Sequence, residues 1–141
     1  TGPQSPATNT TPQAEGVSLI IPYELREPLA LNTSHLAGSV KVLGTVRTYE
    51  DQNAVLRTFD TLKVKKVVFV GDAGVSADRG TFRFIRSLQQ KVSEVQVVLL
   101  HQDEARPQKV ANWIDGLHEL GLTDLEPWRD MASAIQWLNT E

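Results

Sequence analysis

The order of elements read along this chain, β, β, α, β, α, β, α, α, predicts an α/β fold: a mainly parallel sheet of about four strands flanked by helices, with Rossmann-like or flavodoxin-like layering. Two nearly continuous apolar runs, Val67–Val70 and Val95–Leu100, have the pattern of parallel strands covered on both faces. Apolar residues at helical spacing follow each run, and helical crossovers between successive strands join them in parallel with right-handed topology.

Taken in order, Gly16 opens Val17-Ser18-Leu19-Ile20-Ile21, a β-rich run limited by Pro22. It predicts a short strand near the sheet edge or the domain entrance. From Ser39 to Val46 the residues Val40, Val42 and Val46 recur at period two, with Gly44 in phase, and predict a second strand. An acidic first turn, Glu50-Asp51, and the stripe Val55, Phe59 and Leu62 give a helix over about 50–62. The run Lys65–Gly71 is the next strand, and Ser76 in its exit loop is the candidate N-cap of a helix over about 77–91. Phe82, Ile85, Leu88 and Val92 lie on one face of that helix. Beyond Val95–Leu100, Pro107 suits a first helical turn, and Val110, Trp113, Ile114, Leu117 and Leu120 form the cleanest stripe in the chain. Gly121 is placed to stop this helix. A last helix is expected to begin near Pro127, with Trp128, Met131, Ala132, Ile135 and Leu138 on one face and Trp137 off it.

A length of 141 residues, with 40% hydrophobic and 22% charged, suits one domain with a real core. Residues 1–15 hold three prolines, four threonines and no large apolar side chain, and read as a disordered linker or arm before a single α/β domain over 16–141. No stretch approaches the roughly 20 apolar residues of a membrane span, and no signal-peptide pattern is visible. A soluble domain is expected, with Thr1 at a cut or processing boundary. The absence of cysteine removes disulfides, thiolate nucleophiles and cysteine metal sites. His35, His101 and His118 lack short metal-ligand spacing, so neither a metal nor a cofactor is expected.

Ligands of open α/β sheets bind at the carboxyl ends of strands, which directs attention to the exit loop 71–80. Its candidate ligand-binding residues are Gly71, Asp72, Gly74, Ser76, Asp78 and Arg79, the glycines allowing close backbone approach and the helix start offering N–H groups to an anion. The loop lacks the Lys-[Ser/Thr] of a P-loop and the glycine spacing of a dinucleotide fingerprint. A bland reading has the glycines making a turn and the polar side chains capping backbone groups. Asp72 as a phospho-acceptor is rejected, because the preceding strand ends in Leu43-Gly44-Thr45 without the acidic pair that a metal would need. No Gly-x-Ser-x-Gly elbow exists for serine hydrolysis. His101, directly after a strand, is a further binding candidate and could exchange a proton with Asp72 nearby. No complete catalytic constellation is present, and the reading leans away from an enzyme.

Charge is distributed unevenly. Residues 41–91 carry ten Lys/Arg against five Asp/Glu, whereas residues 92–141 carry three against nine. Arg79, Arg83 and Arg86 stand at i, i+4 and i+7 and form one basic stripe. Such a stripe can meet an acidic protein surface, lipid head groups or nucleic acid, or be an ordinary solvated helix face. Nucleic acid fits least, because the chain is acidic overall and no aromatic residues interleave the basic ones on a predicted exposed face. The stripe is the candidate surface for a protein partner, with Trp137 as an aromatic anchor.

The segments Leu19–Leu25, Val67–Val70, Arg79–Leu88, Val97–Leu100 and Trp113–Gly121 resemble the C-terminal portion of a bacterial inner-membrane protein family catalogued only as a domain of unknown function. The resemblance covers about residues 17–125 and implies a domain on the cytoplasmic face, tethered through residues 1–15 to membrane helices upstream. It also implies a protein partner, a small GTP-binding protein being commonly encoded beside members of that family, and it supplies no catalytic residues. A second resemblance, over Val67–Leu100 and Gly121–Leu138, is to the domain shared by sulfate transporters and anti-sigma-factor antagonists. There a phosphorylatable hydroxyl opens a helix, where this chain reads Asp78-Arg79-Gly80, with Ser76 and Thr81 on either side.

Overall fold

The structure, a computed structural model, describes residues 16–29, 39–75, 77–121 and 130–140. Four strands form one sheet, β1 (Val17–Pro22), β2 (Val40–Val42), β3 (Val64–Asp72) and β4 (Val95–Leu100), in the order β2-β1-β3-β4. Every pairing is parallel. The helices are α1 (Tyr49–Thr61), α2 (Arg79–Lys91), α3 (Pro107–Glu119) and α4 (Met131–Leu138). The α/β fold and mainly parallel sheet read from the sequence are therefore present.

The chain steps from β1 to β2 in one direction, then over β1 to β3 and on to β4 in the other. Right-handed crossovers in opposite directions lie on opposite faces of a sheet. Accordingly α1 and α2, which make the β2–β3 and β3–β4 crossovers, share one face with α3, where Val55, Ile85 and Trp113 bury against Leu19, Phe69 and Val97. The start of the β1–β2 crossover brings Leu25 and Leu29 to the other face, where Ala134 and Leu138 of α4 cover Ile20, Val68 and Val98.

Local chemistry explains the helix boundaries. Thr48 and Asp51 form a reciprocal capping box at the start of α1. The backbone N–H groups of Arg47 and Thr48 lower the Asp51 carboxyl from its usual range. Pro107 is the first residue of α3, and Gly121 follows it at φ +77°, a left-handed stop that glycine adopts without strain. The buried arc of α2 is wider than the sequence stripe, taking in Thr81 and Phe84, because this helix packs between α1 and α3.

Several expectations need correction. β1 is an internal strand: Pro22 is its last residue, its carbonyl accepts from Val46 N–H, and its missing N–H falls on the side where β2 has already ended at Val42. The second strand is shorter than Ser39–Val46; β2 stops at Val42, and Val46 returns only as an isolated bridge to Tyr23. The N-cap of α2 is Asp78, whose carboxylate accepts from Thr81 N–H, and Ser76 lies outside the described residues. Asp130 caps α4, which starts at Met131, and the expected start at Pro127 with Trp128 lies outside the described residues, as does the arm 1–15.

Lys66, on β3, is only 8% exposed. Its Nζ donates to the carbonyl oxygens of Trp137 (2.8 Å) and Thr140 (2.9 Å) and to Thr140 Oγ1 (2.9 Å), satisfying all three ammonium protons at the negative end of α4. The same Nζ lies 4.9 Å from the centre of the Trp137 ring.

On the opposite face, α2 and α3 touch through Phe82 and Gly116, where a Cβ at Gly116 would come within 2.2 Å of the Phe82 ring. Gly116→Ala is therefore expected to cost about 1–3 kcal/mol by overpacking. Urea denaturation checks this, with partial recovery in Gly116→Ala/Phe82→Leu; stability unchanged in Gly116→Ala would contradict the contact.

Candidate functional site

The chain leaves β1 and β3 in opposite lateral directions, so their carboxyl ends form the topological switch point of the sheet, the usual ligand crevice of such folds. Asp72, the last residue of β3, sits there with a side chain 1% exposed. Its Oδ2 accepts from Arg26 Nε at 2.6 Å and its Oδ1 from Gly74 N–H at 2.8 Å. Asp72 in turn holds the Arg26 guanidinium's ionisation above its already high range.

The rest of the exit loop is similarly engaged. Ala73 N–H donates to Leu100 O and Val75 N–H to Asp72 O, while Lys109 Nζ of α3 donates to Gly74 O and Trp113 Nε1 to Val75 O. The close approach that the glycines permit is made by side chains: a Cβ at Gly71 would lie 3.0 Å from the Trp113 ring, and one at Gly74 3.3 Å from the Arg26 guanidinium. The amides of residues 73–75 are thus bonded within the protein, and the Asp78 carboxylate occupies the first turn of α2. Gly71, Asp72 and Gly74 come together as a locked turn, while Arg79 lines a separate groove beside Phe82 and Gly116.

Asp72 and His101 do share a cleft of about 210 Å³, lined also by Arg26, Leu29, Leu100 and Met131. His101 takes a left-handed backbone (φ +63°), and its Nδ1 lies 3.6 Å from Glu104 Oε2. Glu24, just beyond β1, also has positive φ (+46°), so both such non-glycine residues among the described ones follow strand ends. Arg26 escaped sequence reasoning because it belongs to no motif; its one signal was being the sole Lys or Arg in residues 1–40.

Behind the crevice a polar chain runs from Gln52 Nε2 to the Tyr23 hydroxyl (3.0 Å), on to Thr81 Oγ1 (3.3 Å) and then to Asp78 Oδ1 (3.1 Å). Burial outweighs the hydrogen bonds from Thr81 and Gln52 and raises the Tyr23 hydroxyl above its ordinary 10.0.

The candidate partner residues separate. Arg79 and Arg83 border an open groove of about 400 Å³ between α2 and α3, floored by Phe82, Gly116 and Leu120 with Glu119 beside them. Arg86 is exposed further along the same helix. Trp137 lies across the sheet, half-buried against the second core cluster beneath Lys66. Among the described residues no group of three or more His, Cys, Asp or Glu is arranged to hold a metal ion.

Residues 1–122 match a family model described as protein of unknown function (DUF2868). No curated protein and no solved structure matches the chain.

Asp72→Asn keeps an acceptor for Gly74 N–H but removes the charge facing Arg26. The expected loss is about 1–2 kcal/mol, since the half-exposed guanidinium retains water. Denaturant unfolding measures the loss, and faster hydrogen exchange at residues 73–75 locates it. The Tyr23 hydroxyl, raised on folding, contributes stability that is complete below pH 10.0 and lost as pH rises through the raised value. Ultraviolet titration should show a late tyrosine component that Tyr23→Phe removes.

Proposed function

The chain belongs to this family of unknown function, and we propose that it is a non-enzymatic protein-interaction or regulatory domain whose docking face is the arginine side of α2. The observation that carries the reading is that Arg79, Arg83 and Arg86 form no ion pair among the described residues, although two of them border an open groove floored by Phe82 and Leu120. Exposed arginine beside aromatic and aliphatic surface is the chemistry of interface hot spots. The partner would present carboxylates around an apolar contact.

Support for a small GTP-binding protein as that partner, and for a setting on the cytoplasmic face of a bacterial inner membrane with a tether ahead of residue 1, is the sequence resemblance. No helix of the described residues is long and apolar enough to cross a membrane. A nucleotide or phosphate held by loop 71–80 draws less support, because the amides of residues 73–75 are bonded internally. A phospho-switch at Thr81 also fits poorly, its hydroxyl being buried between Asp78 and Tyr23.

A photo-crosslinking residue placed at Arg86 of the full-length protein in its native cells is expected to yield one discrete adduct. The same residue placed at Thr61 should give none. The adduct should disappear in Arg79→Glu/Arg83→Glu, and one persisting undiminished through that reversal would overturn the docking face.

A further inference from the structure

We propose that the strand-end cleft is a binding site for a small organic monocarboxylate with a short apolar tail. The site shares no residue with the α2 groove and goes beyond the docking role. Arg26 supplies the head-group contact. Its Nε is held by Asp72 at 2.6 Å, which fixes the plane of the guanidinium, while Nη1 and Nη2 have no hydrogen-bond partner among the described residues and the side chain is 51% exposed. An arginine oriented through one edge by a buried carboxylate presents its remaining N–H groups as a preformed fork.

His101 is the second head-group contact. It lines the same cleft, held there by the turn in which Glu104 N–H and Ala105 N–H donate to its carbonyl oxygen. Between these two groups stands Glu104 Oε2, 3.9 Å from Arg26 Nη2 and 3.6 Å from His101 Nδ1. The Glu104 side chain is 71% exposed and hydrogen-bonds neither of them. It thus marks the place of a carboxylate without filling it. Leu29, Leu100 and Met131, each half-buried, supply an apolar wall.

Charge selects the class of head group. Among the described residues Asp72, Glu27 and Glu104 stand around the guanidinium of Arg26. A doubly charged phosphate meets the repulsion of these carboxylates twice over, whereas a single carboxylate meets it once and takes the position that the exposed Glu104 vacates by swinging into solvent. A cation finds the buried carboxylate already occupied by Arg26.

Hexanoate is the probe, titrated into the full 141-residue chain and followed by amide NMR shifts, with acetate, hexyl phosphate and hexylammonium as comparisons. Hexanoate should shift residues 25–29, 72–74 and 100–104 and bind more tightly than the other three. Glu104→Gln removes a competing carboxylate from an exposed position and is expected to tighten hexanoate about three- to fivefold. Arg26→Gln should abolish the shifts; should that variant fail to fold, Glu104→Gln decides alone. The site is refuted if hexanoate at about 20 mM moves none of these residues, if hexyl phosphate or hexylammonium binds as well, or if Glu104→Gln leaves the affinity unchanged.

Discussion

A strand covered on both faces and paired on both edges must end its apolar run in groups that the protein itself can satisfy. β3 does so with charge. Near one end Lys66 caps the carboxyl terminus of α4, and at the other Asp72 gathers Arg26 from the first crossover and Gly74 from its own exit loop. Between these two residues Val67, Val68, Phe69 and Val70 are fully buried. The apolar segment supplies the core, and the charged ends decide which loop and which helix are attached to it. Both charges carry close partners, as burial requires.

Much of this architecture was legible in the residues. Continuous apolar runs marked β3 and β4, Pro107 and Gly121 bounded α3, and the stripe through Trp113 and Leu117 identified its buried face. What failed did so where tertiary context outranks local pattern. Pro22 suggests a strand near the sheet edge or the domain entrance, and β1 lies one strand in from that edge but is paired on both sides, a proline being tolerated at its end once its neighbour has stopped. The alternation through Val46 suggests a longer β2, yet the ladder breaks after Val42, which stays 41% exposed. Trp137 falls off the helix stripe, yet it packs half-buried against the second core cluster and beneath the distant Lys66.

The candidate site was half legible. Asp72 and His101 follow strands and could be named from the rule that ligands sit at strand ends. Arg26 lies in a segment without periodicity, 46 residues from the carboxylate it pairs with, and nothing local announces that pairing. Glycines 71 and 74 invite a phosphate reading from sequence, whereas in space they make room for Trp113 and Arg26. The same residue type serves either purpose, and only the identity of the approaching atoms separates them.

The attachment of α4 carries a consequence for motion. This eight-residue helix is the one on its face of the sheet among the described residues, and it contributes no strand to the β-ladder. Its release would break the three Lys66 hydrogen bonds and expose a strip of Ile20, Val68, Val70 and Val98 while every strand pairing survived. Opening of that kind would leave the β-ladder untouched and uncover only the part of this face that α4 covers among the described residues, a subglobal route distinct from unfolding of the sheet.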